Sequence, residues 1–136
     1  SPVRDDGLSE ALRRMVKRLK DRIDIAVTVA VDDRAAPLAD RTTEAVFRIV
    51  EEALRNVEKH AEARSVAIAA RVETRDDGDH LVAEVADDGV GFDPAETHHG
   101  HFGLVGLREQ ADLAGARLDI ASRPGEGTRV RVDVLL

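Results

Sequence analysis

The segment HLVAEVADDGVGF (residues 80–92) constrains the fold most, because it joins a strand pattern directly to two carboxylates and two glycines. Leu81, Ala83 and Val85 alternate with the residues between them, which predicts a half-buried strand that ends near Asp87. An aspartate followed by a glycine is also typical of a tight hairpin turn, since glycine adopts positive φ angles without steric cost. The next residues, DPAETHHGHFG, contain a proline and two glycines and show no alternation. We therefore expect a loop, not a second strand, after Asp87.

The composition excludes several classes of function. The 136 residues include 20 basic and 27 acidic side chains, so the net charge is −7, and only 2% of residues are aromatic. We expect one domain over residues 1–136 with an aliphatic core, and no nucleic-acid partner, which would require a concentrated positive surface. The chain has no cysteine and no apolar run long enough to cross a bilayer. We therefore expect this part of the chain to be cytoplasmic and not inserted in a membrane.

Apolar spacing predicts a helix, a strand and a second helix in the first half of the chain. Six residues at helical spacing predict an amphipathic helix within residues 1–22: Leu8, Ala11, Leu12, Met15, Val16 and Leu19. The solvated face of this helix carries a basic cluster: Arg13, Arg14, Lys17, Arg18 and Lys20. The strand pattern IDIAVTVAV follows, and a longer helical pattern then runs from about Arg41 to His60.

The second half of the chain completes a predicted sheet. SVAIAARVE and HLVAEVA are joined by the turn-rich TRDDGD and predict a hairpin. A helix is expected from about Gly103 to Ala114, with Gly115 at its C-terminal cap, and two strands, ARLDIAS and TRVRVDVLL, follow. This order predicts an α/β two-layer sandwich whose sheet is mixed but mostly antiparallel, with about three helices on one face.

Four polar residues form a stripe at the edge of the apolar face of the long helix. At about 100° per residue, Glu52, Asn56, Lys59 and His60 lie together on this stripe. A solvated flank supported by Glu–Lys spacing is one interpretation. Asparagine is a mediocre helix former in an interior position, which favours the alternative that the stripe faces a cleft between this helix and the sheet.

Four motifs in this order resemble one known family. EEALRNVEKHA (residues 51–61), DDGVGF (87–92), GHFGLVGLREQ (100–110) and GEGT (125–128) resemble the N, G1 and G2 boxes and the terminal Gly-Thr of the GHKL, or Bergerat-fold, ATPases. More narrowly, the chain resembles the catalytic and ATP-binding domain of bacterial sensor histidine kinases, in the branch paired with LuxR/NarL-type response regulators. The resemblance extends from about Leu8 to the C-terminus and implies a Bergerat-type fold.

The resemblance implies that Asp87 accepts a hydrogen bond from the adenine amino group. Gly89 and Gly91 match the glycines that let the backbone pass close to the nucleotide. Asn56 matches the amide that ligates Mg²⁺, and Lys59 and His60 match positions near the phosphates and sugar. ATP and Mg²⁺ are therefore the implied cofactors.

The other implied contacts lie on the last helix and strand. The second glycine box, where backbone amides at the start of a helix meet phosphate, matches five residues: Gly103, Leu104, Val105, Gly106 and Leu107. Arg108 adds charge there or is a surface arginine. Thr128 matches the threonine near the base pocket, although β-propensity alone also favours a threonine in a strand.

Glu52 and the loop histidines have open roles. In hydrolytic relatives such as gyrase and the heat-shock chaperone, a glutamate four residues before the metal-binding asparagine activates water. Glu52 occupies that position, but a kinase must spare ATP for transfer, which favours a role in metal or water positioning. His98, His99 and His101 fall in the region that matches the lid over the triphosphate; a zinc or nickel cluster is the alternative interpretation.

The implied function is that of the ATP-binding kinase domain of a two-component sensor histidine kinase. Sensor kinases carry their phosphoacceptor histidine on a dimerising helix, followed by an acidic residue, and no histidine here has an acidic neighbour on that side. We therefore expect the chain to be part of a longer homodimeric protein, with residues 1–22 near the junction, and to be unable to autophosphorylate alone. The alternatives are a serine kinase of the anti-sigma-factor type, a hydrolytic GHKL ATPase and a non-catalytic nucleotide-sensing module.

Overall fold

A five-stranded sheet forms one layer of the molecule. The computed structural model describes residues 1–93, 95 and 104–136. The strands are β1 (Ala26–Val31), β2 (Ser65–Arg75), β3 (Gly78–Asp87), β4 (Arg117–Ser122) and β5 (Thr128–Leu135). Their order across the sheet is β1-β2-β3-β5-β4, with β1 and β2 parallel and the other neighbours antiparallel. The predicted mixed, mostly antiparallel sheet is confirmed.

The helices form the second layer. They are α1 (Pro2–Asp6), α2 (Leu8–Arg22), α3 (Arg41–Asn56) and α4 (Leu104–Ala114). They lie on one side of the sheet, as predicted, with the short α1 in addition to the three expected helices. All six apolar residues of the predicted first helix are buried in the core between the layers. Within the described part of the chain, no helix combines the length and apolarity needed to cross a bilayer.

The start of α3 is fixed by a polar cap. Asp40 precedes the helix, and its Oδ1 accepts hydrogen bonds from the Thr43 backbone N–H at 2.8 Å and from the Thr43 hydroxyl at 2.6 Å. These bonds satisfy one of the otherwise unpaired N–H groups of the first turn and the hydroxyl of a threonine that is completely buried. The cap therefore fixes where α3 enters the core.

The end of α3 differs from the sequence-based expectation. The α-helix ends at Asn56 and continues as one π-helical turn, Val57–Ala61, which leads to Glu62 at φ 50°. Within this turn Glu58 accepts two hydrogen bonds, at 2.8 and 3.0 Å, from the Arg22 guanidinium at the end of α2. A periodic apolar pattern cannot distinguish a final α turn from this wider turn, so the predicted regular helix to His60 was wrong in its last turn.

The strand β3 is more buried than its alternating pattern predicts. Leu81, Ala83 and Val85 face the core, but Val82, on the opposite face, is also fully buried. Its cross-strand neighbours are Arg71 and Asp133. These long or charged side chains belong to a group of ion pairs on the open face of the sheet, which shields Val82 from water. The expectation of a half-buried strand therefore fails at Val82, whereas the next two outward-facing positions of β3 are only partly buried, as predicted.

The end of α4 matches the prediction. Gly115 adopts φ 64°, and the Ala116 N–H donates to the Ala111 carbonyl at 2.9 Å, which closes the helix in the manner of a glycine cap. The start of the predicted helix, Gly103, lies outside the described residues.

Candidate functional site

A cleft opens between the helical layer and one end of the sheet. Its walls come from the end of α3 and the following π turn, the start of α4, and the ends of β3 and β5. The lining residues are Ala53, Asn56, Val57, His60, Val85, Asp87, Val90, Gly91, Phe92, Leu104, Leu107, Thr128 and Val130. Most of this surface is apolar, so the few polar groups determine the orientation of a bound ligand.

Among the described residues that line the cleft, Asp87 supplies the carboxylate. It is the last residue of β3, opposite Thr128 of β5, and its Oδ1 accepts a hydrogen bond of 2.8 Å from the Gly89 backbone N–H. Burial raises the pKa of the Asp87 carboxyl, while hydrogen bonds from the backbone N–H groups of Gly89 and Thr128 oppose this rise. The fold therefore holds a partly desolvated carboxylate against an apolar wall, which is costly unless a ligand uses it.

Asp88, the neighbouring carboxylate, has a structural role. Its Oδ1 accepts hydrogen bonds from the backbone N–H groups of Arg64 (2.9 Å) and Ser65 (3.0 Å), and its Oδ2 accepts from the Ser65 hydroxyl at 2.9 Å. Hydrogen bonds from Ser65, first from its backbone and then from its hydroxyl, lower the pKa of Asp88. Asp88 thus anchors the start of β2, a role that the sequence analysis did not assign.

Two loops meet at the sheet end of the cleft. A Cβ on Gly91 would lie 2.1 Å from the Arg123 carbonyl oxygen, and a Cβ on Gly127 would lie 2.1 Å from the Asp87 carbonyl oxygen. Both glycines have positive φ, 63° and 72°. Only glycine allows this approach of the loop after β3 to the loop between β4 and β5. The backbone that passes close to Gly91 in this structure is therefore that of the loop between β4 and β5.

The stripe predicted on the long helix is divided. Asn56 and His60 line the cleft, whereas Glu52 and Lys59 do not. The Glu52 carboxylate pairs with Arg55 one turn further along, and Lys59 is exposed. The change from α to π geometry after Asn56 alters the direction of the following side chains, which an ideal helical wheel does not include.

The second glycine box is divided in a similar way. Leu104 and Leu107 are buried and line the cleft, and Val105 is 49% exposed. Among the described residues, no atom beyond the adjoining backbone of this helix lies within 4 Å of the position that a Cβ on Gly106 would occupy. Arg108 is exposed on the same helix. Gly103 lies outside the described residues, as do the loop histidines His98, His99 and His101.

Several lining residues were missed by sequence reasoning. Ala53, Val57, Val85 and Val130 form the apolar walls, but in the sequence they are ordinary core positions of helices and strands. Ser122 joins the two loops through its hydroxyl. The sequence feature that could have indicated this role is its position directly before the turn segment RPGEG. Among the described residues, no group of three or more His, Cys, Asp or Glu side chains is arranged to hold a metal ion.

Comparison with known proteins identifies the family. Residues 41–136 match the model of the histidine kinase-, DNA gyrase B-, and HSP90-like ATPases. The chain belongs to this ATPase family, and its ATP-binding domain is of the histidine kinase type.

Relatives of similar sequence carry histidine kinase or sensor names. The signal transduction histidine-protein kinase/phosphatase DegS of Brevibacillus brevis is 31% identical over 130 residues, which cover 96% of this chain and 33% of DegS. Sensor protein VraS of Staphylococcus epidermidis is 30% identical over 96% of this chain and 36% of VraS. The chain thus spans about a third of these relatives.

A solved structure shows the same architecture. The blue-light activated histidine kinase of Erythrobacter litoralis superposes with a TM-score of 0.73 at 26% identity, over 95% of this chain and 42% of that one. The predicted fold class and the predicted family are both confirmed. ATP is the ligand of the family; the assignments of individual residues to it stay predictions.

Alanine substitutions at Gly91, which is closely surrounded, and at Gly106, which is not, test the contact between the two loops. We expect Gly91→Ala to lower the free energy of unfolding by about 2 kcal/mol or more, because it adds a clash to an unfavourable φ. We expect Gly106→Ala to raise it by about 0.5–1 kcal/mol, because alanine favours a helix and would meet no other described part of the chain. Urea denaturation followed by circular dichroism measures both. Equal effects of the two substitutions would contradict the observed loop contact.

The pKa values of the adjacent carboxyls Asp87 and Asp88 should differ from the ordinary aspartate value in opposite directions. Carboxyl ¹³C NMR should find the pKa of Asp87 above 3.8 and that of Asp88 below 3.8. Asp88 stabilises the fold above the pKa it has when unfolded, and this contribution is lost as pH falls through its lowered folded pKa. The contribution of Asp87 to the free energy of unfolding has the opposite pH dependence. Because the pKa of Asp87 is raised in the folded state, that state takes up the proton first and becomes relatively more stable as pH falls through the raised pKa. A reversed order of the two pKa values would overturn this account.

Proposed function

We propose that this domain presents the γ-phosphate of Mg-ATP to a phosphoacceptor histidine on a separate, dimerising segment of the same sensor kinase. The observation that carries the proposal is that Asp87 and Asn56, the residues implied for the base and for the metal, line one cleft although 30 residues separate them in the chain. We further propose that residues 1–136 form one ATP-binding domain of a longer cytoplasmic or membrane-anchored protein.

The base end of the cleft supports a purine ligand. Val85, Val130 and Ala53 offer apolar walls, and the half-buried Asp87 carboxylate offers an acceptor beside them. An exocyclic amino group of adenine would pair with this carboxylate, while the ring would displace water from the walls. The cost of partly burying the Asp87 charge would then be offset by a directional contact.

The phosphate end supports anion binding. The start of α4 contributes Leu104 to the cleft, and the first backbone N–H groups of an α-helix have no partners within the helix. Lys59 is exposed next to the lining residue His60, and we propose that it contacts the phosphates. Val105, Gly106 and Leu107 continue this helical turn. Within the described part of the chain, no atom beyond the adjoining helix backbone lies beside Gly106, which leaves room for an approaching phosphate.

Asn56 fits the role proposed for a magnesium ligand. Its amide oxygen is a hard donor, and the absence of a carboxylate cage among the described residues suits a cation held chiefly by nucleotide oxygens. When bound, Mg²⁺ would neutralise phosphate charge during transfer. The protein would supply one metal ligand, the Asn56 amide oxygen at the end of α3, and the buried apolar face of α3 would keep this oxygen at the cleft.

The position of Glu52 favours transfer over hydrolysis. Its carboxylate is engaged by Arg55 and lies outside the lining of the cleft. A general base must reach the water that it activates, directly or through one further water. We therefore propose that Glu52 supports the helix and is not the base of a hydrolytic ATPase.

The proposed partners follow from the same family assignment. The phosphoacceptor helix would meet the open side of the cleft, and the exposed basic face of α2, including Arg13 and Lys17, lies near the proposed junction with it. A LuxR/NarL-type response regulator would then receive the phosphate, and the full protein would be a homodimer.

Calorimetric titration tests the ligand. We expect ATP to bind more tightly than GTP, and Mg²⁺ to strengthen ATP binding. Asp87→Asn should weaken ATP binding about tenfold or more, because it removes a charged hydrogen-bond acceptor. Asp76→Asn, an exposed aspartate outside the cleft, is the matched control and should leave the dissociation constant unchanged. Equal ATP affinity of Asp87→Asn and the parent would remove the assignment of Asp87.

Labelling with γ-³²P-ATP tests the reaction. The domain alone should acquire no acid-labile phosphate, and it should label a supplied phosphoacceptor segment of the parent kinase. Asn56→Ala should reduce this transfer by more than tenfold, since the metal loses its protein ligand. Steady phosphate release without labelling of the segment would favour the hydrolytic alternative.

A further inference from the structure

The Ser122 hydroxyl has three hydrogen-bond partners that join the two loops beside the cleft. Ser122 is the last residue of β4 and does not itself line the cleft. Its Oγ accepts from the Phe92 backbone N–H at 2.9 Å and donates to the Gly127 carbonyl at 2.9 Å. The third partner is the Thr128 hydroxyl, also at 2.9 Å.

The number of available protons determines the direction of the third bond. A serine hydroxyl has one proton and two lone pairs. The Gly127 carbonyl can only accept, so it takes the Ser122 proton, and the Phe92 N–H occupies one lone pair. All three bonds exist together only if the Thr128 hydroxyl donates its own proton to the remaining lone pair of Ser122.

This arrangement leaves the Thr128 oxygen without a proton for a ligand. Thr128 lines the cleft beside Asp87, whose ionised carboxylate is also an acceptor only. The polar wall at the base end of the cleft thus presents acceptors and no side-chain donor from these two residues. A ligand edge that places another acceptor there would leave two desolvated oxygens facing each other.

We infer that Ser122 is a positioning residue that fixes Thr128 as a hydrogen-bond acceptor and thereby selects 6-amino purines over 6-oxo purines. This inference rests on the proposed function and adds a source of base selectivity to it. A site built around a defined donor or acceptor pattern rejects a ligand that leaves its buried polar groups unpaired. Without Ser122, the Thr128 hydroxyl can rotate and donate to a 6-oxo group.

The test is the ratio of the ITP and ATP dissociation constants, since inosine differs from adenosine in carrying the 6-oxo group. Relative to the parent, Ser122→Ala should lower this ratio about fivefold, the effect of one neutral hydrogen bond. Ser122→Thr keeps a hydroxyl in a strand position and should restore the parent ratio. In a Thr128→Val background, Ser122→Ala should change the ratio less than twofold, because the residue through which it acts is absent.

Ser65→Ala is the matched control for loosening of the site. It removes the hydroxyl that donates to Asp88 at 2.9 Å, and so loosens the same loop without touching the Ser122–Thr128 bond. We expect its ITP to ATP ratio to equal that of the parent. Two results would overturn the inference and leave the proposed function standing: an unchanged ratio of the ITP and ATP dissociation constants in Ser122→Ala with normal ATP binding, or an equal fall of this ratio in Ser65→Ala. Failure of the parent to bind ATP would overturn the proposed function and the inference with it.

Discussion

The site depends on the close approach of two loops, one after β3 and one between β4 and β5. The contact needs glycine at both Gly91 and Gly127. A Cβ on Gly91 would lie 2.1 Å from the Arg123 carbonyl oxygen, and a Cβ on Gly127 would lie 2.1 Å from that of Asp87 at the end of β3. A further bond of 2.6 Å joins the Gly125 N–H to the Val90 carbonyl. This contact fixes the backbone at Asp87 and in the loop that follows it, and so helps to set the direction of the Asp87 carboxylate.

The adjacent carboxylates of Asp87, at the end of β3, and Asp88, at the start of the following loop, have opposite energetic effects. Asp88 accepts three hydrogen bonds at the start of β2, and these lower its pKa and stabilise the fold at neutral pH. Asp87 is held in partial burial, which raises its pKa and opposes folding when it is charged. Asp88 therefore stabilises the loop, and this loop keeps the neighbouring Asp87 carboxylate available for a ligand. Such local cost is typical of a functional position in an otherwise consistent fold.

Much of the architecture could be predicted because it follows from local periodicity. The apolar stripe of α2, the hairpin of β2 and β3 and the glycine end of α4 are each encoded within a short window of sequence. The π turn after Asn56 could not be predicted in this way, since its residues keep a helical pattern while their directions change. The burial of Val82 depends on ion pairs contributed by other strands, which a single strand pattern does not contain.

The same limit applies to the site. Asp87, Asn56 and Thr128 were identified through motifs, and the cleft brings all three together. The anchoring role of Asp88 and the three bonds of Ser122 arise between segments that are distant in sequence. Motif reasoning identifies the residues that meet a ligand more readily than the residues that hold them in place.

A crystal structure of this domain with Mg²⁺ and a non-hydrolysable ATP analogue would test the proposed site most directly. We expect the adenine amino group within hydrogen-bond distance of the Asp87 carboxylate, and the metal on the Asn56 amide oxygen near the start of α4. A nucleotide bound outside this cleft, or one inside it with its phosphates at Asp87 and its base at Asn56, would show that the proposed site is wrong.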